Sequence, residues 1–180
     1  MVLSTKVLAI NKVMLQYFRE MRCHKLKVEI WADFVCPFCY IGKRQFERAL
    51  EQFPNKQHIV IEYKSFELCS TFNGESHDEP QQPCSMSIEQ AQKINAHIRA
   101  RAAEVGITCH GDCPKPIRTF DAHRLVKYAS SLGKEAVLIE SLLRAYITEA
   151  RHIGERQILL DIAEEVGLNR EEVDYVLATN

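Results

Sequence analysis

The chain has 180 residues, of which 46% are hydrophobic and 26% charged, and its formal net charge is −1. This length fits one domain, with or without an insertion, and allows a buried core. The small net charge gives no field that would attract nucleic acid or an anionic membrane, and no apolar run approaches the roughly 18 residues of a membrane span. We therefore expect a soluble globular protein whose partners include neither nucleic acid nor a membrane.

Residues 1–24 are predicted to be an N-terminal extension. Their apolar run is interrupted by polar residues such as Lys6 and Asn11, which is not the layout of a signal peptide. The segment has the pattern of an amphipathic helix in which several basic residues face a single acid, Glu20. This pattern weakly resembles a mitochondrial transit segment, but the absence of a signal-peptide layout favours a cytoplasmic protein.

Residues 25–68 are predicted to form a strand, a helix and a second strand. The run "KLKVEIWADF" (25–34) is short, apolar and rich in strand-forming residues. From Pro37 onward apolar residues recur at three- and four-residue spacings, which predicts a helix that ends before Pro54. The stretch "HIVIEYKSFEL" (58–68) then alternates as a strand does. This order is typical of a right-handed crossover unit.

The rest of the chain is predicted to be a loop over 69–86 followed by a helical domain over 87–180. Ser87 and Gln90 match a capping box, which starts a helix that ends near Glu104. After a second loop, "GITCHGDCPKPIR" (106–118), four more helices are predicted: Thr119 to near Gly133, Lys134 to about His152, Glu155 to Gly167, and a last one capped by Asn169 with Glu172.

Cys36 and Cys39 form a C-x-x-C motif, "CPFC", at the boundary between the first strand and the first helix. The free N–H groups and positive end of a helix favour an anion, so we expect a lowered pKa for the Cys36 thiol. Pro37 suits the first helical turn because its missing N–H would have no partner there. Cys39 lies on the same helical face and can resolve a mixed disulfide formed by Cys36. The pair is predicted to exchange two electrons without a cofactor.

Two other interpretations of this pair stay open. A zinc site would need further ligands, which "CHGDC" (109–113) could supply as Cys109, His110 and Cys113, but a proline within the first pair fits zinc poorly. Inert, buried thiols are the second alternative, since free cysteine is often simply buried. The redox dithiol is favoured because a lone C-x-x-C in a reducing compartment is more often redox-active or metal-binding than structural, and no metal is predicted.

Three aromatic residues surround the motif. Phe34, Phe38 and Tyr40 are predicted to line an apolar surface near Cys36 that would suit an unfolded peptide or a small hydrophobic substrate. The alternative is that they are core residues, which applies best to Phe34.

The stretch "VEIWADFVCPFCYIGKRQFERAL" resembles the opening of the DsbA-like thioredoxin-fold proteins, and specifically their FrnE-type branch of dithiol-disulfide oxidoreductases and isomerases. "FDAHRLVKYASS" and the sequence that follows it are similar to the helical insertion of that branch. The resemblance covers residues 26–180, with a weaker middle between 69 and 86. It implies an α/β, thioredoxin-like fold with a helical insertion domain, in which Cys36 is the nucleophile and Cys39 the resolving thiol.

The resemblance also has implications for individual residues. Pro37 and Phe38 occupy the dipeptide that tunes the redox potential in such proteins. His123 becomes the histidine most relevant to the active-site cleft, with a packed helical histidine as the alternative. Cys109 and Cys113 are candidates for a second redox pair, or else belong to a loop without such a role.

The family pattern also continues beyond the helical insertion. It adds two strands, a closing helix and a cis-proline loop that faces the cysteine pair, whereas this sequence stops at Asn180. We therefore expect a sheet that lacks this C-terminal β-β-α part and has an unpaired edge.

Three functions remain open from the sequence. The first is a thiol-disulfide oxidoreductase acting on a disulfide-containing protein or a small thiol, with glutathione as a candidate co-substrate and no other cofactor. The second is a glutathione-dependent isomerase or transferase, as in the related 2-hydroxychromene-2-carboxylate isomerases and kappa-class glutathione transferases, which generally have serine where Cys36 stands. The third is a truncated, non-catalytic member that binds partners, including a second copy of itself.

Overall fold

The computed structural model describes residues 25–68, 87–109 and 117–179. Its elements in chain order are β1 (Leu26–Ala32), α1 (Pro37–Gln52), a short 3-10 helix (Lys56–His58), β2 (Ile59–Ser65), α2 (Ile88–Glu104), α3 (Phe120–Ser131), α4 (Glu135–Ile147), α5 (Arg156–Glu165) and α6 (Arg170–Ala178). The predicted α/β fold, with a small sheet followed by helices, is confirmed.

Several predictions fall outside the described residues. They concern the N-terminal extension over 1–24, the loop over 69–86 and all of "CHGDC" except Cys109. The division of the chain into a β-α-β unit and a helical domain stays a prediction.

The sheet of the described ranges consists of two parallel strands, which pair from Leu26 opposite Ile59 to Ala32 opposite Ser65. Parallel strands require a crossover connection, and α1 provides it. The carboxyl end of β1 and the N-terminus of α1 are joined by only four residues, 33–36. This short connection is where the C-x-x-C motif begins.

Helix α1 begins and ends where its prolines predict. Pro37 occupies its first turn, and Cys36 immediately before it has the extended backbone of an N-cap residue. The helix ends before Phe53, because the residue that precedes a proline is disfavoured in helical conformation. Its buried side chains, Tyr40, Ile41 and Lys43, all lie in its first half. The core therefore fixes the end of α1 that carries the cysteines.

The hydrophobic core lies mainly among the helices that follow residue 117. Helix α4 is buried on most of its surface and packs against α3 and α5. The largest fully buried apolar side chains are Leu125, Leu138, Leu142, Ile153, Leu159, Ile162 and Val173. Phe34, Tyr40 and Ile41 belong to the same cluster, so the beginning of α1 and the helical region share one core.

The structure confirms two predicted helix caps, and it shows that one helix is shorter than predicted. Ser87 and Gln90 form the reciprocal capping box of α2, and the Asn169 side chain accepts two N–H groups at the start of α6. Helix α4 ends at Ile147 and not near His152. Three residues further on, Ala150 has a φ of 55°, a left-handed conformation that glycine or asparagine usually adopts. Because an alanine does not indicate this conformation, no sequence signal marks the end of the helix.

Within the described ranges, none of the helices combines the length and the apolar character that crossing a bilayer requires.

Candidate active site

The two cysteines of the motif are close enough to interact directly. Their thiols lie 3.6 Å apart, and both are free and half-buried. The Cys39 N–H also donates to the Cys36 carbonyl oxygen at 3.0 Å, in the first turn of α1. Since a disulfide bond is about 2.05 Å long, a small movement of the side chains would suffice to join the two sulfurs.

The two thiols have opposite pKa shifts. The hydrogen bond from the Cys39 thiol lowers the pKa of Cys36 to about 6, and the N–H groups of Cys39 and Phe38 act in the same direction against burial and the charge of Asp33. The same thiol contact, together with burial, raises the pKa of Cys39. At neutral pH Cys36 is therefore a thiolate and Cys39 a thiol, which is the combination that an attacking and a resolving cysteine require.

Asp33 is the buried carboxylate of the site, with 1% of its surface exposed. Its Oδ1 accepts the Thr119 hydroxyl and the Phe34 N–H, and its Oδ2 accepts the Leu68 N–H, each at 2.7 Å. His123 Nε2 lies 3.5 Å from Oδ1. Burial raises the pKa of this carboxyl, but the His123 ring, the Leu68 N–H and the Thr119 hydroxyl outweigh it and keep the pKa below its usual value. Asp33 is thus an anion that joins three separate segments.

A second carboxylate, Glu67, positions the start of α3. Its Oε1 accepts the N–H groups of Thr119 and Phe120 at 3.0 and 3.1 Å. The Thr119 side chain does not cap this helix, because its hydroxyl donates to Asp33 instead. These contacts fix α3 against the end of β1 and place His123, one turn into the helix, beside Asp33.

A cavity of about 30 Å³ lies next to Cys39. Asp33, Phe34, Tyr63 and His123 are among the residues that line it, and its walls are mostly apolar. A space of this size holds one or two water molecules and no larger molecule.

A network of charged side chains holds α1 against α4. Lys43 is 8% exposed, and its Nζ lies 2.5 Å from both Glu140 Oε2 and Glu47 Oε1. The Tyr40 hydroxyl donates to Glu140 Oε1 at 2.6 Å, and Arg44 donates to the same oxygen. Burial and the Glu140 carboxylate raise the pKa of Tyr40 to about 12.

The aromatic surface predicted around Cys36 is largely absent. Phe34 and Tyr40 are 5% and 3% exposed, because the Phe34 ring packs against His123 and Tyr40 points toward Glu140. Phe38 is 51% exposed and is the member of this trio that presents an apolar ring to solvent.

The other residues predicted for the site do not form a single group. Pro37 lies in the first turn of α1, and His123 is buried beside Asp33. Cys109 is a partly buried free thiol whose pKa is raised by burial. Its predicted partner Cys113 lies outside the described residues, so the second redox pair stays a prediction. No three histidine, cysteine or acidic side chains converge on a possible metal site in the described part of the chain.

Four residues of this site were not predicted from the sequence: Asp33, Lys43, Glu67 and Glu140. A signal existed for Asp33, which is an acid at the end of an apolar strand, three residues before Cys36. No comparable signal marks Lys43 or Glu140, which lie on amphipathic helices among many other charged residues.

A parallel β-α-β unit with a C-x-x-C motif at the N-terminus of its helix, packed against a helical region, defines a thioredoxin-fold protein. The chain belongs to the DSBA-like thioredoxin domain family, whose model matches residues 27–180.

Similarity to individual proteins supports this family assignment. The crystal structure of a probable DsbA oxidoreductase from Streptomyces coelicolor is 33% identical, with a TM-score of 0.77 over 86% of this chain and 68% of that one. The protein YwbO of Bacillus subtilis (strain 168) is 26% identical over 153 residues, which are 84% of this chain and 72% of YwbO. A 2-hydroxychromene-2-carboxylate isomerase shares the fold, with 15% identity and a TM-score of 0.63 over 86% of this chain and 72% of the isomerase.

Proposed function

We propose that the chain is a thiol-disulfide oxidoreductase in which Cys36 attacks and Cys39 resolves. This proposal depends mainly on one observation: of two cysteines 3.6 Å apart, Cys36 is the thiolate and Cys39 the neutral thiol. The pKa of Cys36 lies at about 6, while that of Cys39 is raised. Inert core cysteines would have no reason to differ in this way, because burial alone raises the pKa of both.

The reaction has two exchange steps. The Cys36 thiolate attacks one sulfur of a substrate disulfide, a Cys36–substrate disulfide forms, and the other substrate sulfur leaves as a thiolate. Cys39 then loses its proton and attacks the Cys36 sulfur, and the second substrate sulfur leaves. The substrate gains two electrons from the pair and two protons, one from Cys39 and one from solvent, because Cys36 reacts as a thiolate; the chain retains a Cys36–Cys39 disulfide. Two molecules of an external thiol, such as glutathione, would return the pair to its reduced form.

The surroundings of Cys36 favour a substrate with an apolar group next to its disulfide. Phe38 follows Cys36 by two residues and has half of its surface exposed, so its ring can contact such a group. A disulfide-containing protein is the substrate class that we propose, with a small thiol as the regenerating partner. The FrnE-type branch, the cytoplasmic location and the homodimer remain predictions from the sequence.

Turbidity assays of insulin reduction with dithiothreitol or glutathione test this function. Wild-type chain should accelerate the reaction, and Cys36→Ser should abolish the acceleration because no thiolate remains to attack. Cys39→Ser should accumulate a mixed disulfide with the substrate, visible as a mass increase. Cys109→Ser removes a thiol outside the motif, and an unchanged rate would show that the predicted second redox pair takes no part in this reaction. Equal rates for wild type and Cys36→Ser would contradict the proposal.

A further inference from the structure

Asp33 brings two distant segments of the chain to the end of α1 that carries the cysteines. The Cys36 N–H donates to the Asp33 carbonyl oxygen at 3.4 Å. The Asp33 carboxylate accepts the Leu68 N–H and the Thr119 hydroxyl, each at 2.7 Å. Because these contacts are short, the residues that follow β2 and the residues that precede α3 lie beside the start of the C-x-x-C motif.

Each of these three segments presents a large apolar side chain to solvent. Phe38, Leu68 and Phe120 have 51%, 54% and 52% of their surface exposed. Exposed apolar side chains that lie in one region of a surface often belong to a binding site. We call these three residues the apolar group of the site, of which Phe38 is the member already proposed to contact a substrate.

Arg118 adds a positive charge to the apolar group. Its Cζ lies 5.8 Å from the centre of the Phe120 ring, and half of its side chain is exposed. Among the described residues its nearest carboxylate oxygen, Glu67 Oε1, lies 4.0 Å from Nε, and this oxygen already accepts two N–H groups at the start of α3. A guanidinium has five N–H donors, so Arg118 has donors available for another acceptor.

A second arginine near the same ring differs from Arg118 in its contacts. The Arg124 Cζ lies 5.7 Å from the centre of the Phe120 ring. However, one of its terminal nitrogens donates to Asp121 at 2.9 Å, and the other donates to carbonyl oxygens at the end of α6. Arg124 therefore joins α3 to α6, while Arg118 is the cation that is available to a ligand.

We infer that Arg118 binds a carboxylate of the substrate, and that the substrates are disulfide-linked polypeptides with an acidic side chain next to the cysteine. An Arg–carboxylate pair can form two parallel hydrogen bonds. The Cys36 thiolate and the Asp33 carboxylate would repel such a substrate, and the Arg118 charge offsets this repulsion. This inference rests on the proposed exchange function and adds the charge of the substrate to it.

Exchange with three matched peptide disulfides tests this inference. In each peptide the cysteine is flanked by two glutamates, two glutamines or two lysines, and both peptide ends are blocked. Acid-quenched mixtures with the reduced protein are separated by chromatography, which gives the rate constant for release of the peptide thiol. For Arg118→Gln we expect the ratio of the glutamate rate to the glutamine rate to be about threefold lower than in the wild type, the effect of an exposed ion pair.

Further variants separate a local contact from a change in net charge. Arg118→Glu should lower the glutamate ratio further and raise the ratio of the lysine rate to the glutamine rate. Arg101→Gln is the matched control, because Arg101 is also exposed and pairs with Glu104. The Glu104 carbonyl oxygen accepts Arg48, which lies about 18 Å from Cys36 along α1 at 1.5 Å per residue. The control should keep the wild-type ratios.

The outcomes distinguish the inference from the function on which it rests. Salt of about 0.5 M should reduce the difference between the wild type and Arg118→Gln, since salt screens exposed charges. A wild-type glutamate ratio in Arg118→Gln, or an equal fall in Arg101→Gln, would overturn the role of Arg118. Absence of exchange between the wild type and all three peptides would refute the proposed function instead.

Discussion

The thiolate of Cys36 is stabilised by several short contacts, of which the hydrogen bond from the Cys39 thiol is the largest. The N–H groups of the first turn of α1 contribute less. The expected lowering of the pKa is thus present, but its main cause is the partner thiol and not the end of the helix. Each cysteine affects the pKa of the other, so a substitution of Cys39 should change the pKa of Cys36.

Alkylation kinetics test this coupling. The rate at which iodoacetamide modifies Cys36 in the reduced chain should rise with pH around a midpoint near 6, because the thiolate is the reacting form. In Cys39→Ala the midpoint should move upward, since the largest stabilising contact is gone.

Cys109→Ala is the matched control for this experiment and should keep the wild-type midpoint, because Cys109 is not among the main groups that shift the Cys36 pKa. A midpoint that stays near 6 in Cys39→Ala would show that the helix end alone stabilises the thiolate.

At the scale of the elements, carboxylates from distant segments hold the two helices that carry the site. Glu140 of α4 contacts Tyr40, Lys43 and Arg44 of α1. Glu67, after β2, caps α3. Both contacts join segments that are far apart in the sequence, so neither helix takes its position from its own propensity alone.

Substitution of Glu140 by glutamine should destabilise the chain. Glutamine keeps the shape of the side chain but leaves the buried Lys43 ammonium with Glu47 as its remaining carboxylate partner. We expect a loss of about 1–3 kcal/mol in the free energy of unfolding, measured by urea denaturation.

Asp174→Asn is the matched control, since Asp174 pairs with Arg156 on the surface, where ion pairs contribute little. A loss for Glu140→Gln no larger than that of Asp174→Asn would mean that the network does not hold α1 against α4.

The cap of α3 gives a second prediction. Glu67→Ala removes the acceptor for two N–H groups at the start of the helix and should cost about 1 kcal/mol of unfolding free energy. Glu67→Gln retains an acceptor oxygen and should cost less, so the two variants separate the hydrogen bonds from the charge. Equal stability of the alanine variant and the wild type in urea denaturation would show that Glu67 does not cap α3.

At the scale of the whole molecule, one core includes both the start of α1 and the helical region. The ionisation of Cys36 is therefore linked to the stability of the folded chain as a whole. The Cys36 pKa falls from its ordinary value of 9.0 to about 6 on folding. Its contribution to stability is present in full above pH 9 and is lost as the pH falls through 6.

This linkage predicts a pH-dependent difference between two reduced proteins. The free energy of unfolding of the wild type, relative to that of Cys36→Ala, should increase as the pH rises from about 6 to about 9. The raised pKa of Cys39 opposes this increase only near pH 9, where the unfolded chain loses a Cys39 proton that the folded chain keeps. Below about pH 8 Cys39 is protonated in both states. Urea denaturation at several pH values measures the difference, and a constant value would contradict a lowered Cys36 pKa.

Much of the local structure follows from short sequence signals. Pro37 and Pro54 bracket α1, Ser87 and Gln90 start α2, and Asn169 starts α6. These signals act within a few residues, which is why they can be recognised without a structure. The end of α4 was mispredicted because Ala150 adopts a left-handed φ that its side chain does not favour.

The sequence by itself determined the β-α-β order, the helical region and the position of Cys36 at a helix N-terminus, because each depends on local patterns of apolar, capping and helix-breaking residues. The tertiary structure alone decided that Phe34 and Tyr40 are buried, that Lys43 is enclosed by carboxylates, and that Asp33 and His123 meet beside Cys39. These contacts join residues up to about 100 positions apart, and they depend on how α3 and α4 pack against α1. The surroundings of the C-x-x-C motif are therefore determined by tertiary packing and by charged residues that are distant in the sequence. Local sequence patterns do not determine them.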